Sequence, residues 1–264
     1  MLEVFRDSLR CLSFATIFKL TALSLMPIKP RLIKVKLPLG LEAYIPCDNT
    51  CEVWRNILHI FCYADYELHP DFVPKEGWIV LDVGAFLGFW LLKAARLVGE
   101  EGFVVGVEPN PDAYSIALLN VLANGLNNVR LLNYALGTES GIAKLYITRY
   151  PGNASLLRSY AEYMGGVERE VTVRTITLEK LLNSLELGSV DLMKLDVEGY
   201  ELEILRANEA LLKENRIKRL VLEVHTGIVS ASAIMTLLEE IGWDVILYDP
   251  SLPYQAFIYA KPAR

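Results

Sequence analysis

The sequence lacks the features that mark zinc proteins, nucleic-acid binders and repeat proteins. Its four cysteines show none of the paired two-residue spacings of a structural zinc site. Its 26 basic and 32 acidic residues give a net charge of −6 and form no basic stripe that would neutralise a phosphate backbone. No internal repeat or low-complexity segment is present. Nucleic acid is therefore not expected as a partner.

All four cysteines lie in the first quarter of the chain, at Cys11, Cys47, Cys51 and Cys62. With 264 residues and 53% apolar content, the chain can bury one large core that does not need disulfides for its stability. We therefore predict four reduced thiols, a cytoplasmic location, and a single catalytic domain with a short N-terminal addition.

The segment 11–28 is apolar apart from Lys19 and a few hydroxyls. A secretory signal is not indicated, because Glu3 and Asp7 accompany the basic residues before it and no small-residue cleavage site follows. Three interpretations stay open: a helix packed on the domain, a helix at a membrane surface or on a partner, and a membrane span.

The first 76 residues predict an extension ahead of the main domain. The runs 33–37 and 42–45 flank a Pro-Leu-Gly turn, which indicates a hairpin, and 51–61 has the apolar spacing of a helix. The segment 70–77 breaks this pattern. We therefore predict an N-terminal extension over 1–76 and a catalytic domain over 77–264.

The remainder of the chain alternates between two kinds of segment. Apolar runs without polar alternation, typical of strands covered on both faces, occupy 78–83, 103–107, 129–132, 190–195 and 219–224. Segments with helical length and spacing occupy 87–98, 112–123, 178–185 and 201–212. This order predicts an α/β fold with a mostly parallel, doubly wound, Rossmann-like sheet. The segment 150–166, rich in Gly, Ser and Tyr, predicts a loop over the site.

A glycine-containing turn follows the first of these strands. Asp82 precedes Gly84 and Gly88, so the glycine spacing differs from the dinucleotide fingerprint. An acid at this turn disfavours a pyrophosphate and favours a ligand carrying an ammonium and a sulfonium. The pattern therefore points to S-adenosylmethionine as the cofactor.

Glu108 ends the next apolar strand, about 26 residues after Asp82. That offset is comparable with the roughly 20 residues that separate ribose-binding acids from the glycine turn in Rossmann units. Either acid alone is explained equally well as a helix cap or a surface charge. Together, at consecutive strand ends, they predict a cofactor site in which Glu108 accepts hydrogen bonds from both ribose hydroxyls.

The chain resembles the FkbM-type methyltransferase family from about residue 78 to about residue 226. The resemblance rests on Leu-Asp-Val-Gly-Ala from 81, Val-Glu-Pro-Asn-Pro from 107, Asn124 with Asn-Asn-Val from 127, Ala-Leu-Gly from 135, Lys-Leu-Asp-Val-Glu-Gly-Tyr-Glu from 194 and Leu-Glu-Val-His from 222. It implies a class I methyltransferase fold, S-adenosylmethionine as donor, and methylation of an oxygen on a sugar or small metabolite. The sequence departs from the family at Phe86, where an Asn is usual, and at Glu179, where an Asp is more common.

Two further strand ends carry candidate catalytic residues. Strand alternation puts Lys194, Asp196 and Glu198 on one side. Asp196 is predicted beside the transferred methyl, where it would orient an acceptor hydroxyl or remove its proton, although a salt-bridged cluster would also explain the three charges. His225, which shares a face with Glu223, is a candidate general base, with a buried, hydrogen-bonded histidine as the alternative.

The other candidates complete the predicted site. Asn133 and Ala135 are expected near the adenine. Asp196, Glu223 and His225 could together hold a divalent metal, but one histidine with scattered acids is weak evidence and no metal ligand is assigned. His59 and His69 fall outside the predicted crevice and receive no function.

These observations favour an S-adenosylmethionine-dependent methyltransferase acting on a sugar, glycan or small-metabolite hydroxyl. An RNA methyltransferase is one rival, but it would need a basic surface. A non-catalytic cofactor-binding or scaffold protein is the other, and it leaves Asp196 and His225 unexplained. Peripheral membrane contact through 11–28 stays open and would fit a lipid or lipid-linked acceptor. The sequence predicts no oligomeric state.

Overall fold

The computed structural model describes residues 2–26, 28–225, 227–248 and 255–263. Its strands are β1 (Leu32–Lys36), β2 (Glu42–Pro46), β3 (Ile79–Val83), β4 (Phe103–Val107), β5 (Val129–Leu132), β6 (Ala135–Leu136), β7 (Gly141–Thr148), β8 (Val167–Ile176), β9 (Leu192–Leu195), β10 (Leu220–His225), β11 (Trp243–Tyr248) and β12 (Gln255–Pro262).

The α-helices alternate with most of these strands. They are α1 (Leu2–Ser8), α2 (Phe14–Leu25), α3 (Thr50–Leu58), α4 (Phe89–Val98), α5 (Pro111–Ala123), α6 (Arg158–Tyr163), α7 (Leu178–Ser184), α8 (Glu201–Ala207), α9 (Glu209–Lys213) and α10 (Ala231–Glu240). A π-helical turn, His59–Tyr63, continues α3, and short 3₁₀ turns occupy Pro38–Gly40, Pro70–Phe72 and Pro151–Asn153. The predicted helix over 201–212 is interrupted at Asn208, whose side-chain amide donates to the carbonyl of Ile204.

Seven of the strands form the central sheet, in the order β11-β12-β10-β9-β3-β4-β5. Neighbours from β10 to β5 pair in parallel, whereas β12 runs antiparallel to both β10 and β11. The predicted mostly parallel α/β fold is therefore confirmed. From β3 the chain first adds strands on one side and later returns to add β9 on the other. This reversal creates a crevice at the carboxyl ends of β3 and β9, where ligands bind in open α/β sheets.

Two apolar cores cover the two faces of the sheet. One contains Val80 and Val104 with α4, α5 and the N-terminal elements, and the other contains Leu81 and Val105 with α7, α8 and α10. Alternate residues of each strand point into opposite cores. This two-sided burial explains why the strands read as continuous apolar runs in the sequence.

A second, three-stranded sheet has the order β6-β8-β7. This sheet was not predicted from the sequence, although valines alternate with polar residues in the second half of β8. The segment between β7 and β8 contains the 3₁₀ turn Pro151–Asn153 and helix α6. The prediction of a loop over 150–166 is therefore wrong for α6, which buries Tyr160 and Ala161.

The N-terminal elements pack on the core shared by α4 and α5. Strands β1 and β2 form the predicted antiparallel hairpin. The backbone amide of Tyr44 donates to Asn120 of α5, and that of Glu42 donates to Asn124, which caps the end of α5. Whether the extension ends at residue 76 stays a prediction. Among the described residues, no helix combines the length and the apolar character needed to cross a membrane. Pro27, inside the apolar segment 11–28, lies outside the described residues.

The cysteines differ from the prediction. Cys11 and Cys62 are joined by a disulfide, with their Cα atoms 5.4 Å apart, while Cys47 and Cys51 are free. Four reduced thiols were expected because a large core can be stable without disulfides. The size of the core, however, does not decide whether two thiols lie close enough to pair. The cytoplasmic location loses that support and stays a prediction.

Candidate active site

A cavity of about 1230 Å³ opens at the carboxyl ends of β3, β4, β9 and β10. Its walls come from three parts of the chain: the strand ends, the N-terminal elements between Val4 and Tyr66, and the segment 150–165 over the sheet. Of the predicted site residues, the lining includes Gly84, Glu108, Ala135, Asp196 and His225, whereas Asp82, Gly88 and Asn133 lie outside it.

The turn after β3 requires glycine at two positions. Gly84 has a φ of +81°, and a Cβ there would lie 1.8 Å from the carbonyl oxygen of Asp196. The backbones that follow β3 and β9 therefore approach each other at a point where no side chain fits. Gly88, with a φ of +83°, caps the start of α4.

A buried ion-pair network links the same two strands. Lys194 Nζ lies 3.2 Å from Oδ1 of Asp82 and 3.3 Å from Oδ2 of Asp196, and it donates to the carbonyl of Gly84 at 2.9 Å. Burial lowers the pKa of Lys194, but the charges of Asp82 and Asp196 raise it further, so the net pKa lies above its usual value. Burial raises the pKa of Asp82 to about 6 despite the lysine. Lys194 thus fixes both acids in the interior.

Glu108 joins the turns that follow β3 and β4. Its Oε2 accepts from the backbone N–H of Phe86 and its Oε1 from that of Asn110, both at 2.7 Å. Burial raises the pKa of this carboxyl to about 7, although the two backbone bonds lower it. Each carboxylate oxygen accepts more than one hydrogen bond, so lone pairs remain for ribose hydroxyls.

Phe86 stands where Asn is usual in the family, and the turn that contains it keeps its hydrogen bond to Glu108. Its backbone is left-handed, with a φ of +48°, and its ring lines the cavity. Glu108 holds this turn through the backbone N–H, a contact that does not depend on the side chain at 86. Asn133 braces the neighbouring turn, since its side-chain amide donates to the carbonyls of Glu108 and Pro109 at 2.8 and 3.1 Å.

Asp196 faces the cavity from the end of β9. Its Oδ2 accepts from the hydroxyl of Tyr66 at 2.9 Å, whereas its Oδ1 has no hydrogen-bond partner in the described part of the chain. Tyr66 also bonds to Oε2 of Glu223, whose Oε1 lies 2.5 Å from Nε2 of Gln255. Sequence reasoning missed Tyr66 and Gln255, and no local motif would have revealed either.

His225 lies among carboxylates at the end of β10. Its Nε2 is 3.2 Å from Glu198 and 3.8 Å from Glu223, and its Nδ1 is 3.5 Å from Glu201. Burial lowers the pKa of the imidazole, but Glu198, Glu201 and Glu223 raise it well above the usual value. The neighbouring carboxylates favour the protonated imidazole, and the role of His225 as general base stays a prediction.

Glu198 connects the imidazole to the helix above the site. It has a left-handed φ of +57°, and its carboxylate accepts from the hydroxyl of Tyr160 in α6 as well as contacting His225. Burial raises the pKa of Glu198, and the charge of His225 partly offsets the increase. Tyr160, in the segment predicted to be a loop, therefore contributes a buried hydrogen-bond donor to the site.

Ligand atoms of Asp196, Glu198 and His225 all lie within 4.8 Å of one another, a spacing that suits a divalent cation. The sequence had grouped Glu223 with Asp196 and His225 instead. Tyr66, Lys194 and Tyr160 already contact carboxylate oxygens of Asp196 and Glu198.

The prediction that both remaining histidines lie outside the crevice is wrong for His59. It lines the cavity, and its Nδ1 is 2.6 Å from Oδ2 of Asp65. Burial lowers the pKa of His59, but the bond to Asp65 and the charges of Asp65, Glu223 and Asp196 together raise it more, so the net pKa lies above its usual value. Glu52 lies on the same wall, and burial raises its pKa to about 7.

The fold and the strand-end acids define a class I, S-adenosylmethionine-dependent methyltransferase. Residues 82–244 match the family model described as the methyltransferase FkbM domain, and the chain belongs to that family. This confirms the resemblance and the cofactor predicted from the sequence. The matched range includes Asp82, Gly84, Glu108, Asp196 and His225.

Relatives by sequence come from an archaeon and a fungus. The hexuronic acid methyltransferase AglP of Haloferax volcanii is 26% identical over 207 residues, covering 76% of this chain and 77% of the relative. Methyltransferase 1 of Beauveria bassiana is 27% identical over 209 residues, covering 72% and 81%. Among solved structures, an S-adenosylmethionine-dependent O-methyltransferase of Thermotoga maritima has a TM-score of 0.49 at 14% identity, covering 88% of this chain and 78% of that one.

Proposed function

We propose that this methyltransferase acts on a hydroxyl oxygen of a sugar. The observation that carries the proposal is Oδ1 of Asp196, a buried carboxylate oxygen at the cavity with no hydrogen-bond partner among the described residues. A free carboxylate oxygen orients a hydroxyl by accepting its hydrogen bond, and it takes the proton as the hydroxyl oxygen is methylated. Tyr66 and Lys194 hold the other oxygen of Asp196 in place.

The cofactor side of the cavity is assigned to the turns after β3 and β4. S-adenosylmethionine supplies, when bound, a methyl group activated by the positive charge on its sulfur. The close approach of the Asp196 carbonyl to Gly84 fixes the turn after β3, and Glu108 keeps lone pairs for the ribose hydroxyls. Asp82 and Asp196 give this region the negative charge that favours a cationic ligand. Gly88 and Asn133 fix the backbone around it, and Ala135 lines the adenine side.

His225 is assigned a positioning role. Its Nε2 lies between Glu198 and Glu223, and the protonated imidazole reduces the repulsion of these carboxylates for each other and for Asp196. By holding these carboxylates, His225 leaves Asp196 as the residue that receives the proton. The acceptor then lies between Asp196 and the wall formed by α3 and the segment 150–165.

The composition of the acceptor wall supports a sugar. The lining contains six tyrosines, Tyr63, Tyr66, Tyr150, Tyr160, Tyr163 and Tyr200. A tyrosine offers an apolar ring face and a polar hydroxyl, which suits a sugar ring with apolar C–H faces and hydroxylated edges. Arg55 is the one lysine or arginine among the described lining residues, and it suits a carboxylate on the acceptor. The name of the archaeal relative, a hexuronic acid methyltransferase, agrees with an acidic sugar.

The test is a methyl-transfer assay on glucuronate, glucose and RNA, combined with calorimetric titration of S-adenosylhomocysteine. We expect transfer to glucuronate or a glucuronate-containing glycan. Asp196→Asn is expected to abolish turnover and keep cofactor binding, because the amide retains the side-chain shape but takes no proton. Arg55→Gln is expected to raise the KM for glucuronate and not for glucose.

Asp244→Asn, at an exposed aspartate of β11, is the matched control and should leave both the rate of methyl transfer and the binding of S-adenosylhomocysteine unchanged. Transfer to RNA alone would replace the sugar with a nucleic acid acceptor. Cofactor binding without turnover on any hydroxylated acceptor would support the non-catalytic alternative. Full activity of Asp196→Asn would overturn the assigned role of Asp196.

A further inference from the structure

Helix α2 is apolar on two opposite sides. One side is buried, and Thr16, Ile17, Leu20 and Leu23 pack onto the protein. The hydroxyl of Thr16 donates to the carbonyl of Lys36 in β1 at 2.7 Å. The Cys11–Cys62 disulfide ties the segment just before α2 to the π-helical turn. The orientation of α2 on the protein is therefore fixed.

The other side of α2 projects large apolar side chains into solvent. Phe14 and Phe18 are 80% and 75% exposed, and Leu25 is 71% exposed, at positions that share one helical face. Phe5 and Leu9 before the helix and Ile28 after it in the chain are exposed as well. Soluble surfaces rarely leave such a contiguous apolar patch without a binding role.

The charge around this patch is opposite to that of the remainder of the chain. Residues 1–36 contain seven basic and two acidic residues, whereas residues 37–264 contain 19 basic and 30 acidic ones. Arg10 and Arg31, before and after α2 in the chain, are exposed, and so is Lys19 of α2, whose ammonium donates to the carbonyl of Lys34. Apolar side chains flanked by cations suit a surface with an apolar interior and anionic groups at its boundary.

We propose that α1 and α2 dock this protein on an anionic membrane surface, with Phe14, Phe18 and Leu25 inserted among the lipids. With 12 residues, α2 is about 18 Å long, whereas a hydrocarbon core is about 30 Å thick, so the helix lies in the plane of the interface. Val4 and Asp7 of α1 also line the cavity, so the docked surface adjoins the acceptor side of the active site.

The experiment is co-sedimentation of the full chain with phosphatidylcholine vesicles, with and without phosphatidylglycerol, at low and high salt. The wild type should bind vesicles that contain phosphatidylglycerol, and salt should weaken the binding. Phe14→Ser/Phe18→Ser should reduce the vesicle-bound fraction at least about tenfold. Leu122→Ser/Ile142→Ser, two exposed apolar residues elsewhere on the surface, should bind as the wild type does.

Titration with S-adenosylhomocysteine confirms that each variant is folded, and it separates this proposal from the proposed function. Wild-type protein that binds cofactor and stays in the supernatant with both vesicle types would overturn the docking proposal alone. Equal sedimentation of wild type and Phe14→Ser/Phe18→Ser would also overturn it. A wild-type dimer that becomes a monomer in this variant, with no vesicle binding, would assign the face to a second copy of the chain instead.

Discussion

The hydroxyl of Tyr66 lies 2.9 Å from Oδ2 of Asp196, although the two residues are 130 positions apart in the chain. Tyr66 lies before β3 in the chain and Asp196 follows β9, so the elements ahead of the central sheet line the cavity as well as packing on its core. The same hydroxyl bonds to Glu223. A single buried tyrosine therefore orders two carboxylates on neighbouring strands.

Replacing Tyr66 by Phe removes the donor that Asp196 and Glu223 share. Leaving a buried, charged acceptor without its donor costs about 1.5–3 kcal/mol, so we expect kcat to fall roughly 10- to 100-fold. The dissociation constant of S-adenosylhomocysteine should stay within about twofold, because the hydroxyl lies on the acceptor side. Tyr248→Phe, at an exposed tyrosine of β11 outside the cavity lining, should change neither value. Loss of cofactor binding in Tyr66→Phe would contradict this division of the site.

A methyl group at Gly84 has no space. Gly84→Ala places a Cβ against the Asp196 carbonyl in a left-handed backbone, and we expect the free energy of unfolding to drop by about 2–5 kcal/mol. Gly125 also has a left-handed φ, of +60°, but no atom lies within 4 Å of its Cβ position. Gly125→Ala should therefore lose only about 1–2 kcal/mol in the same denaturant titration. Equal losses in both variants would show that backbone strain, and not the close approach, governs position 84.

Lys194 is expected to stabilise the fold through the acids it pairs with. Lys194→Met leaves Asp82 and Asp196 without their shared cation in the interior, which should lower the free energy of unfolding by about 3–5 kcal/mol. The control Lys218→Met breaks an exposed pair with Asp191 and should cost less than about 1 kcal/mol. Adding Asp82→Asn to Lys194→Met should recover part of the loss. A double variant less stable than the single one would contradict the ion-pair explanation.

Glu108 makes cofactor affinity depend on pH. Its pKa of about 7 in the free protein means that the carboxylate form, which accepts from ribose hydroxyls, dominates above that pH. Because the ligand favours the ionised form, affinity should be constant above about pH 8 and fall by up to roughly tenfold per unit below pH 7. Titration of S-adenosylhomocysteine between pH 6 and 8 measures this, and its uncharged sulfur keeps the sulfonium out of the comparison. Glu108→Gln should bind more weakly and lose the pH dependence; an unchanged profile would assign it to another group.

Much of the architecture was predictable because burial on both faces of a parallel sheet leaves a direct trace in the sequence. The apolar runs at 103–107 and 129–132 coincide with β4 and β5, and the turn at Gly84 was evident from its spacing. The strand predicted from residue 190 begins at Leu192, since Val190 makes only an isolated bridge to Ile217. Helix α6 was missed because a short helix rich in Gly, Ser and Tyr neighbours has weak periodicity.

The sequence alone determined the α/β class, the cofactor and the strand-end acids Asp82, Glu108 and Asp196, since these depend on local residue order. Only the tertiary structure decided which distant groups meet them. Tyr66, Gln255 and Tyr160 reach the carboxylates through chain reversals, and the Cys11–Cys62 disulfide depends on two elements packing together. His225 was visible as a histidine at a strand end, but the pKa of its imidazole is raised by Glu198, Glu201 and Glu223 around it. The electrostatic environment of a buried group depends on distances in space, which the order of residues along the chain does not contain.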